Sequence, residues 1–322
     1  MIDASDSRRP SVCGVVVTFH PEPTLLQTLA ELVRECGRVV VVDNGSGDAI
    51  CARLATVPGV EVIALAANLG VAAALNRGAV RAKELGVEWM VTFDQDSRPR
   101  PGMVAALWAT HLLFPTAALV GPCIEDALPG AKPYRWVCRH ARWPGLFQRR
   151  DATRGDLEEV TMMVTSGSMV DLAVWTSLGG FDESLFIDYV DTEFCLRVIS
   201  AGRTVAVSSE AVLEHRLGQR QARQVLGQEF RPTHHAAFRH YYMARNRLVV
   251  WRRHALAEPH WALFDAGFAL YNTFRVVAFE SGRGRKLKAM LLGTWDGLRG
   301  RGGPMPAHRR QSVEPRRKDD PT

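Results

Sequence analysis

The sequence predicts an α/β protein with a mixed, mostly parallel sheet between helices, because apolar runs that suit buried strands alternate with segments that suit helices. Continuous apolar runs such as VVVVD are expected where both faces of a strand are covered, as in parallel sheets with helical crossovers. The chain has 322 residues, of which 47% are hydrophobic and 23% charged, as is typical of a folded protein with a sizeable core.

The individual elements follow from the apolar patterns and from the turn residues between them. Strands are predicted at Val12–Thr18, 38–42, 60–65, 89–93, 160–165 and 204–207. Helices are predicted at Leu25–Cys36, 71–85, 172–178 and 191–201, and most of 233–297 is expected to be helical. We therefore expect a disordered N-terminus at 1–10, an α/β domain at 11–216, a helical C-terminal extension at 217–300 and a disordered basic tail at 301–322.

The formal charge of +6 is concentrated at the C-terminal end. Residues 281–322 hold 11 Lys and Arg against 4 Asp and Glu, so the remainder is close to neutral. Such an end suits an anionic membrane surface or is a solvated tail, and we expect no nucleic-acid partner.

Cysteine spacing and hydropathy indicate the compartment. The six cysteines show no CxxC pair and no zinc-like spacing, which disfavours a disulfide framework and a structural zinc site. No signal-like segment precedes the first predicted strand, and polar residues interrupt the apolar segment 260–279. We therefore expect a cytoplasmic protein without a spanning helix.

Polar residues follow four predicted strands at the points where those strands end. They are Thr18 and His20 after the first strand, Asp43 and Asn44 after the second, Asn68 and Gly70 after the third, and Asp94 and Asp96 after the fourth. In open α/β sheets, ligands bind outside the carboxyl ends of the strands. We therefore predict one binding site along this edge.

Asp94 and Asp96 give the strongest chemical signal. Two carboxylates separated by one residue at a strand end are suited to a divalent cation, and Mg²⁺ or Mn²⁺ combines carboxylates with substrate phosphate oxygens. Such a cation would neutralise charge on a departing diphosphate. The alternative is a turn with two solvated acids, which the position directly after a buried strand disfavours.

The second and third groups also admit ordinary structural roles. Asp43 is suited to accept from a pyrimidine N3–H beside a turn at Asn44, or it forms an Asx bond within that turn. Asn68 and Gly70 open a helix whose N-terminus favours anionic groups, or they cap it. Arg77 lies farther along this helix, where it either reaches a diphosphate or is solvated.

The chain resembles family-two inverting glycosyltransferases, and among them bacterial rhamnosyltransferases of O-antigen and cell-wall polysaccharide assembly. The resemblance rests on six motifs in order: VVVTFHP, VVVDNGS, NLGVAAALNRG, FDQDS, TSGS and GGFDESLFIDYVDTEFCLR, with a weaker match at HYYMARNRL. It implies a GT-A fold, a nucleotide-diphosphate sugar donor such as dTDP-L-rhamnose, a Mg²⁺ or Mn²⁺ cofactor and a saccharide or lipid-linked acceptor. It also assigns Thr18 and Asp43 to the nucleotide base, Asp94 to the ribose side and Asp96 to the metal.

Asp191 is the expected general base. An inverting transfer is a single displacement, so a carboxylate must take the acceptor proton on the face opposite the leaving diphosphate. The resemblance places Asp191 at this position, although Val190 stands where the family usually has a first acid. The alternative is a helix-capping carboxylate, a role compatible with catalysis.

The resemblance assigns further contacts to four residues. Asp188 is expected to contact acceptor or sugar, Ser166 and Gly167 to form an acceptor loop, and His215 to bind metal or diphosphate. A simple strand-to-helix turn explains Ser166 and Gly167 equally well, and His215 could be an ordinary exposed histidine.

Aromatic residues are expected to serve packing more than binding. Trp175, Phe181 and Phe186 are predicted to lie in the core, and the helical spacing of residues 261, 264, 268 and 271 also indicates packing. Together with the basic cluster Arg283, Arg285, Lys286 and Lys288, the late helices also suit peripheral contact with the inner face of the cell membrane.

Four alternatives to a rhamnosyltransferase exist. Galactofuranosyltransferases use similar motifs, so the sugar stays open. A sugar-nucleotide-synthesising nucleotidyltransferase would need a Gly-rich basic loop, which the segment TFHPEPT lacks. A catalytically idle nucleotide-sugar-binding partner is disfavoured by the retained acids Asp94, Asp96 and Asp191, and an oxidoreductase by the lack of GxGxxG after the first strand.

Overall fold

The computed structural model describes residues 11–126, 134–215, 223–225, 228–230 and 235–314. The predicted disordered segment 1–10 and residues 315–322 of the tail predicted to be disordered from residue 301 lie outside these residues. The strands are β1 (Val12–Thr18), β2 (Arg38–Asp43), β3 (Val60–Ala64), β4 (Trp89–Asp94), β5 (Ser97–Pro99), β6 (Ala117–Asp126), β7 (Trp136–Arg139), β8 (Phe147–Arg150), β9 (Met169–Asp171), β10 (Thr204–His215), β11 (Arg223–Val225) and β12 (Gln228–Phe230).

Helices alternate with these strands and then follow them. They are α1 (Leu25–Cys36), α2 (Asp48–Leu54), α3 (Val71–Glu84), α4 (Met103–Leu113), α5 (Leu172–Ser177), α6 (Val190–Ser200), α7 (Ala237–His254), α8 (Pro259–Phe279), α9 (Arg283–Leu298) and α10 (Ala307–Val313), with a 3₁₀ turn at Glu183–Leu185. The elements predicted for the first ninety residues are confirmed to within one residue at each end.

The central sheet has the strand order β3-β2-β1-β4-β9-β6-β10-β5. Strands β3, β2, β1 and β4 run parallel, β9 is antiparallel to both β4 and β6, and β10 is parallel to β6. The chain proceeds outward from β1 to β3 and then returns to place β4 on the other side of β1. This reversal between β1 and β4 is where α/β sheets form a crevice for ligands.

Alternate side chains of β1 enter two separate cores, as expected for a strand covered on both faces. Val15 and Val17 pack with apolar residues of α3 and α6, whereas Val12 and Val16 pack with those of α1 and α4. Gly78 lets α3 approach closely, because a Cβ there would lie 2.2 Å from Val15 Cγ1. The predicted fold class, including the helical C-terminal extension, is confirmed.

The strand predicted at 160–165 is wrong. Val160 donates its N–H to the Val205 carbonyl, while Thr161 donates to the Val137 carbonyl, so this segment bridges two structures instead of pairing along one. The sheet strand in this region is β9, which begins at Met169. The predicted strand 204–207 continues to residue 215 as β10, past a register shift between Val207 and Val212.

Helices α7 and α9 pack in close contact. A Cβ at Gly293 would lie 2.2 Å from the Tyr241 carbonyl oxygen, and one at Gly297 would lie 2.7 Å from that of Arg245. The tail predicted to be disordered from residue 301 is ordered through α10, where Val313 is fully buried. The helices therefore extend farther than the sequence pattern indicated.

Helix α8 is polar on its inner face and apolar on its outer face. Its buried residues include His260, Asp265, Asn272 and Arg275. Its exposed large hydrophobic residues are Leu263, Phe268, Leu270, Tyr271, Phe274 and Val277. The prediction that positions 268 and 271 pack inward is therefore wrong, although Trp261 is buried. Among the described residues, no helix combines the length and the apolar character needed to cross a membrane.

Candidate active site

A cleft of about 940 Å³ opens where the strand order reverses between β1 and β4. Eight of the residues predicted for the site line it: Thr18, Asn44, Asn68, Gly70, Asp94, Asp96, Asp188 and Asp191. The predicted metal-binding acid and the predicted general base therefore face the same cavity.

Thr18 and Asp43 connect the ends of β1 and β2. The buried Thr18 hydroxyl donates to Asp43 Oδ2 at 2.9 Å, and Ser46 donates to the same carboxylate from its backbone N–H at 2.7 Å and its hydroxyl at 2.6 Å. Asp43 is completely buried and does not line the cleft. These bonds agree with the turn interpretation, and any effect of Asp43 on a nucleotide base would act through Thr18.

Asn44, Asn68 and Gly70 fix the loop before α3. Asn44 accepts the Leu69 N–H at 2.8 Å and donates to the Gly70 carbonyl at 3.1 Å, while Asn68 accepts the Gly70 N–H at 3.0 Å. Gly70 has φ +92°, and a Cβ there would lie 2.6 Å from the Phe186 carbonyl oxygen. Glycine is therefore required where this loop meets the far wall of the cleft.

Asp94, Gln95 and Asp96 form the turn between β4 and β5. Gln95 accepts the Phe19 N–H at 2.8 Å and donates to the Phe19 carbonyl at 3.2 Å. The middle residue of the acidic motif thus ties this turn to the end of β1. Asp94 is half-buried and Asp96 is exposed, and both line the cleft.

Ser166 and Gly167 lie behind this turn and do not line the cleft. The buried Ser166 hydroxyl accepts the Asp94 N–H at 3.0 Å. Gly167, with φ +79°, donates its N–H to the Thr92 carbonyl at 2.6 Å. Both residues support the acidic turn, whereas the neighbouring Thr165 reaches the cleft surface.

Asp191 lies in the first turn of α6, where the partial positive charge of the helix N-terminus favours a carboxylate. Burial nevertheless raises the pKa of Asp191 to about 6, and the Asp188 and Asp94 carboxylates contribute to the rise. The Thr192 N–H, which donates to Asp191 Oδ1 at 2.7 Å, lowers the pKa. Near neutral pH, Asp191 is therefore an ionised carboxylate that is readily protonated, as a general base requires.

Arg239 supplies positive charge that the sequence patterns did not single out. Its guanidinium pairs with Asp188 on the wall of the cleft. Burial lowers the pKa of Arg239, but Asp188, with smaller contributions from Asp94 and Asp191, raises it above its ordinary value. Burial and this cation together lower the pKa of the nearby His235 to about 4, so its imidazole is neutral. The sequence signal for Arg239 was its position directly before the HYYMARNRL match.

Part of the cleft has an apolar wall. Phe186 and Tyr242 stack with ring centroids 5.1 Å apart and an interplanar angle of 12°, and Phe238 and Met305 line the same wall. Trp175 and Phe181 lie in the core as predicted, whereas Phe186 is half-buried, packs against the core cluster that includes Tyr242 and also lines the cleft. Phe186 has a left-handed backbone, with φ +66°, which the sequence pattern did not indicate.

Two predicted residues lie away from the cleft, and the side chain of a third lies outside the described part of the chain. His20 is exposed beside the end of β1, and Arg77 is exposed on α3; neither lines the cleft. His215 ends β10, where its backbone pairs with Ser97, the residue after Asp96. The side chain of His215 lies outside the described part of the chain.

The oxygen ligands in the cleft fit a divalent cation that is completed by substrate. Within the described ranges, no group of three or more His, Cys, Asp and Glu forms a metal site. Asp94 and Asp96 provide two carboxylates on an accessible turn, and Mg²⁺ or Mn²⁺ commonly takes its remaining ligands from phosphate oxygens and water.

The sheet and the helices that flank it have the GT-A fold of glycosyltransferases. Residues 14–173 match the family model for Glycosyl transferase family 2. The chain is 31% identical to the dTDP-rhamnosyl transferase RfbF of Shigella flexneri over 90% of this chain and 96% of that protein. The chain therefore belongs to glycosyl transferase family 2, as its motifs predicted, and is a glycosyltransferase.

Other known proteins share parts of the sequence or the fold. The N-acetylglucosaminyl-diphospho-decaprenol L-rhamnosyltransferase of Mycobacterium tuberculosis (strain CDC 1551 / Oshkosh) is 29% identical over 63% of this chain and 75% of its own length. S. aureus TarS 1-349 in complex with UDP-GlcNAc matches with TM-score 0.55 and 15% identity, over 89% of this chain and 81% of TarS. GalNAc-T7 with UDP, GalNAc and Mn²⁺ matches with TM-score 0.53 and 16% identity, over 69% of this chain and 45% of that structure.

Proposed function

We propose that this glycosyltransferase transfers L-rhamnose from dTDP-L-rhamnose to a hydroxyl of a saccharide or lipid-linked acceptor, with inversion at the anomeric carbon. The observation that carries the proposal is the shared cleft, in which Asp94 and Asp96 stand at the sheet edge and Asp191 stands at the start of α6. The Shigella relative, named for the same donor, supports the choice of sugar.

The placement of these acids supports a single displacement. Asp191 removes the proton of the acceptor hydroxyl, and the oxygen attacks the anomeric carbon as the bond to the diphosphate breaks. The proton is left on Asp191, and the nucleoside diphosphate departs toward the sheet edge. A Mg²⁺ or Mn²⁺ ion held by Asp94, Asp96 and phosphate oxygens would neutralise the leaving charge. The Arg239 guanidinium adds positive charge on the same wall.

The donor can be identified by thermal shift. We would measure melting temperatures with dTDP-rhamnose, UDP-galactofuranose, UDP-glucose and GDP-mannose, each with and without Mn²⁺, because a ligand of the native state raises the melting temperature. The expected result is a Mn²⁺-dependent rise with dTDP-rhamnose that Asp96→Asn removes and the exposed control Asp48→Asn keeps. A rise with UDP-galactofuranose alone would replace the proposed sugar.

Turnover separates an enzyme from an idle binding protein. Incubation of the purified protein with dTDP-rhamnose and a lipid-linked saccharide, without any added protein, should release dTDP and form one glycosidic bond. If the nucleotide sugar binds but neither transfer nor donor hydrolysis is detected across acceptors, the catalytic proposal fails.

The apolar wall supports an acceptor with a hydrophobic part. Phe186, Phe238, Tyr242 and Met305 offer aromatic and aliphatic surface in the same cleft as Asp191. The Mycobacterium relative, whose name specifies a decaprenol-linked acceptor, favours the same class. We therefore propose a lipid-linked saccharide over a free saccharide.

The outer face of α8 supports contact with the membrane in which such an acceptor resides. Leu270 is 74% exposed and Phe274 is 59% exposed. Exposed Arg283, Arg285 and Lys288 follow at the start of α9, whereas Lys286 is buried on Glu280 at 2.6 Å and is unavailable. Apolar side chains next to exposed cations suit an anionic lipid surface.

Vesicle flotation tests this contact. The protein should float with phosphatidylglycerol vesicles, and the double variant Leu270→Ser/Phe274→Ser should lose most of this binding. Leu113→Ser, at a 68% exposed leucine ending α4, is the matched control and should float like the parent. Failure of the parent protein to bind anionic vesicles would remove the membrane proposal without affecting the transfer reaction.

A further inference from the structure

The segment that leads into Asp191 has an unusual backbone. Phe186, Asp188 and Tyr189 have φ values of +66°, +62° and +67°, in the left-handed region that residues with a Cβ rarely occupy. Each such residue costs about 1–3 kcal/mol and persists only where its surroundings determine it. Something must therefore hold residues 185–189, which we call the base loop.

Asn246 on α7 provides much of this hold. Its completely buried side-chain amide donates to the carbonyl oxygens of Leu185 at 2.9 Å, Ile187 at 2.8 Å and Asp188 at 2.8 Å. The three carbonyls converge on one amide group because the backbone turns back on itself. A side chain without this amide would remove a donor from the part-buried Ile187 and Asp188 carbonyls, whereas the Leu185 carbonyl would keep its bond from Arg245.

Arg245 completes the contact. Its Nε donates to Asn246 Oδ1 at 2.8 Å, which directs the amide nitrogen of Asn246 toward the base loop. Its Nη2 donates to the Ser184 and Leu185 carbonyls at 3.0 and 2.9 Å, and its Nη1 donates to the Gly303 carbonyl. The side chain is 1% exposed, and burial lowers the pKa of Arg245.

Burial of this polar pair is unfavourable if its role is stability alone. A buried guanidinium is costly to desolvate, and apolar residues of similar volume often stabilise a core equally well. Here the guanidinium of Arg245 donates to carbonyl oxygens of one short segment. Its Cζ also lies 5.7 and 4.8 Å from the ring centroids of Tyr241 and Tyr242. The contacts specify a backbone conformation instead of filling space.

We infer that Arg245 and Asn246 are positioning residues that hold the base loop so that Asp191 faces the acceptor hydroxyl. The inference rests on the proposed role of Asp191 as general base. It gives the Arg-Asn pair of the HYYMARNRL motif a role in catalysis without substrate contact. A displacement of the base by about 1 Å lowers the rate by about 100-fold.

The test compares two buried asparagines in the helical extension. Asn246→Ala removes the base-loop contacts, whereas Asn272→Ala removes a 3% exposed asparagine of α8 that accepts from Arg275 at 2.7 Å. We expect Asn246→Ala to lower kcat about 100-fold with the donor KM within about threefold of the parent. Asn272→Ala should keep kcat within about threefold. Equal kcat in the two folded variants would overturn the inference.

Hydrogen exchange tests the base loop independently of activity. In Asn246→Ala, amides of residues 186–192 should exchange at least about tenfold faster than in Asn272→Ala, because the loop opens locally. Unchanged exchange would overturn the inference even if kcat falls. If the parent shows no transfer, the proposed function fails, while the exchange comparison still decides whether Asn246 holds the base loop. Should Asn246→Ala not fold, Asn246→Ser, which retains one donor, is measured in its place under the same criteria.

Discussion

The parallel strands bury apolar side chains, whereas helix α8 buries polar side chains and exposes apolar ones. Strand β1 buries valines on both faces, and its polar residue Thr18 comes at the end of the strand. Helix α8 instead places Asp265, Asn272 and Arg275 inside and Phe274 outside. An apolar pattern thus identifies the inner positions of the sheet but misidentifies those of α8.

The difference shows what decides burial in each region. A strand inside a parallel sheet satisfies its backbone through neighbouring strands, so apolar side chains are favoured on both faces. The inner face of α8 meets charged and polar partners: Asp265 accepts from Arg247 Nε at 2.9 Å and from Trp251 Nε1 at 2.8 Å. Partner chemistry, which periodicity does not encode, determines which face of α8 is buried.

The largest effect is expected at Asp191, the proposed general base. Asp191→Asn should lower kcat about 10³-fold, since general-base catalysis contributes roughly 10²–10⁴-fold, and it should leave Mn²⁺-dependent donor binding nearly intact. Transfer kinetics and thermal shift with donor measure the two properties. Turnover within a few-fold of the parent would exclude Asp191 as the base.

The same variant should not lose stability. The fold raises the pKa of Asp191 above the unfolded value of about 3.9, so the native state binds more protons, and ionisation lowers the free energy of unfolding as pH rises from about 4 to 6. Above pH 6, the uncharged Asn should therefore be at least as stable as Asp. Asp48→Asn, on the exposed start of α2, serves as the control for both measurements.

The inverted burial of α8 predicts the next largest effect. Asp265→Ala should lower the free energy of unfolding by about 3–5 kcal/mol, because it leaves the largely buried Arg247 without its carboxylate. Phe274→Ser, a larger loss of apolar surface, should change it by less than about 0.5 kcal/mol because the ring is exposed. Denaturant unfolding without lipid measures both, and the reverse ranking would contradict the burial assigned to α8.

The smallest effect concerns the pH dependence of activity. Activity should fall below about pH 6 as Asp191 gains a proton and loses its function as a base. Asp188→Asn removes a like charge, so it should lower the pKa of Asp191 and shift this acidic limb to lower pH by less than about one unit. Profiles of kcat/KM against pH measure the shift. A shift to higher pH would show that Asp188 acts on Asp191 mainly through Arg239.

The sequence was sufficient for the parts of the site formed by consecutive residues at strand ends. Thr18, Asn44, Asp94 and Asp96 follow apolar runs whose strands lie side by side, so their meeting at one edge follows from topology. Asp191 was found through a local motif. Its pKa could not be predicted, because it depends on the burial of α6 and on carboxylates far away in the sequence.

The other wall of the cleft could not be predicted in this way. Arg239 and Met305 come from α7 and from the segment before α10, and no periodic pattern links them to the strand ends. The strand predicted at 160–165 failed for a related reason. This segment crosses between β10 and β7, and its backbone N–H groups bond to two different partners.

The short segment after α9 has a practical consequence for shortening the chain. Met305 donates its N–H to the Tyr242 hydroxyl at 2.7 Å, and Gly303 donates to the Ser184 carbonyl at 2.6 Å. A protein that ends at residue 300, where the sequence pattern predicts the end of the helical extension, would lack Met305 and Arg310, which line the cleft. Deletion studies and fragments for crystallisation should therefore retain the chain at least through residue 314.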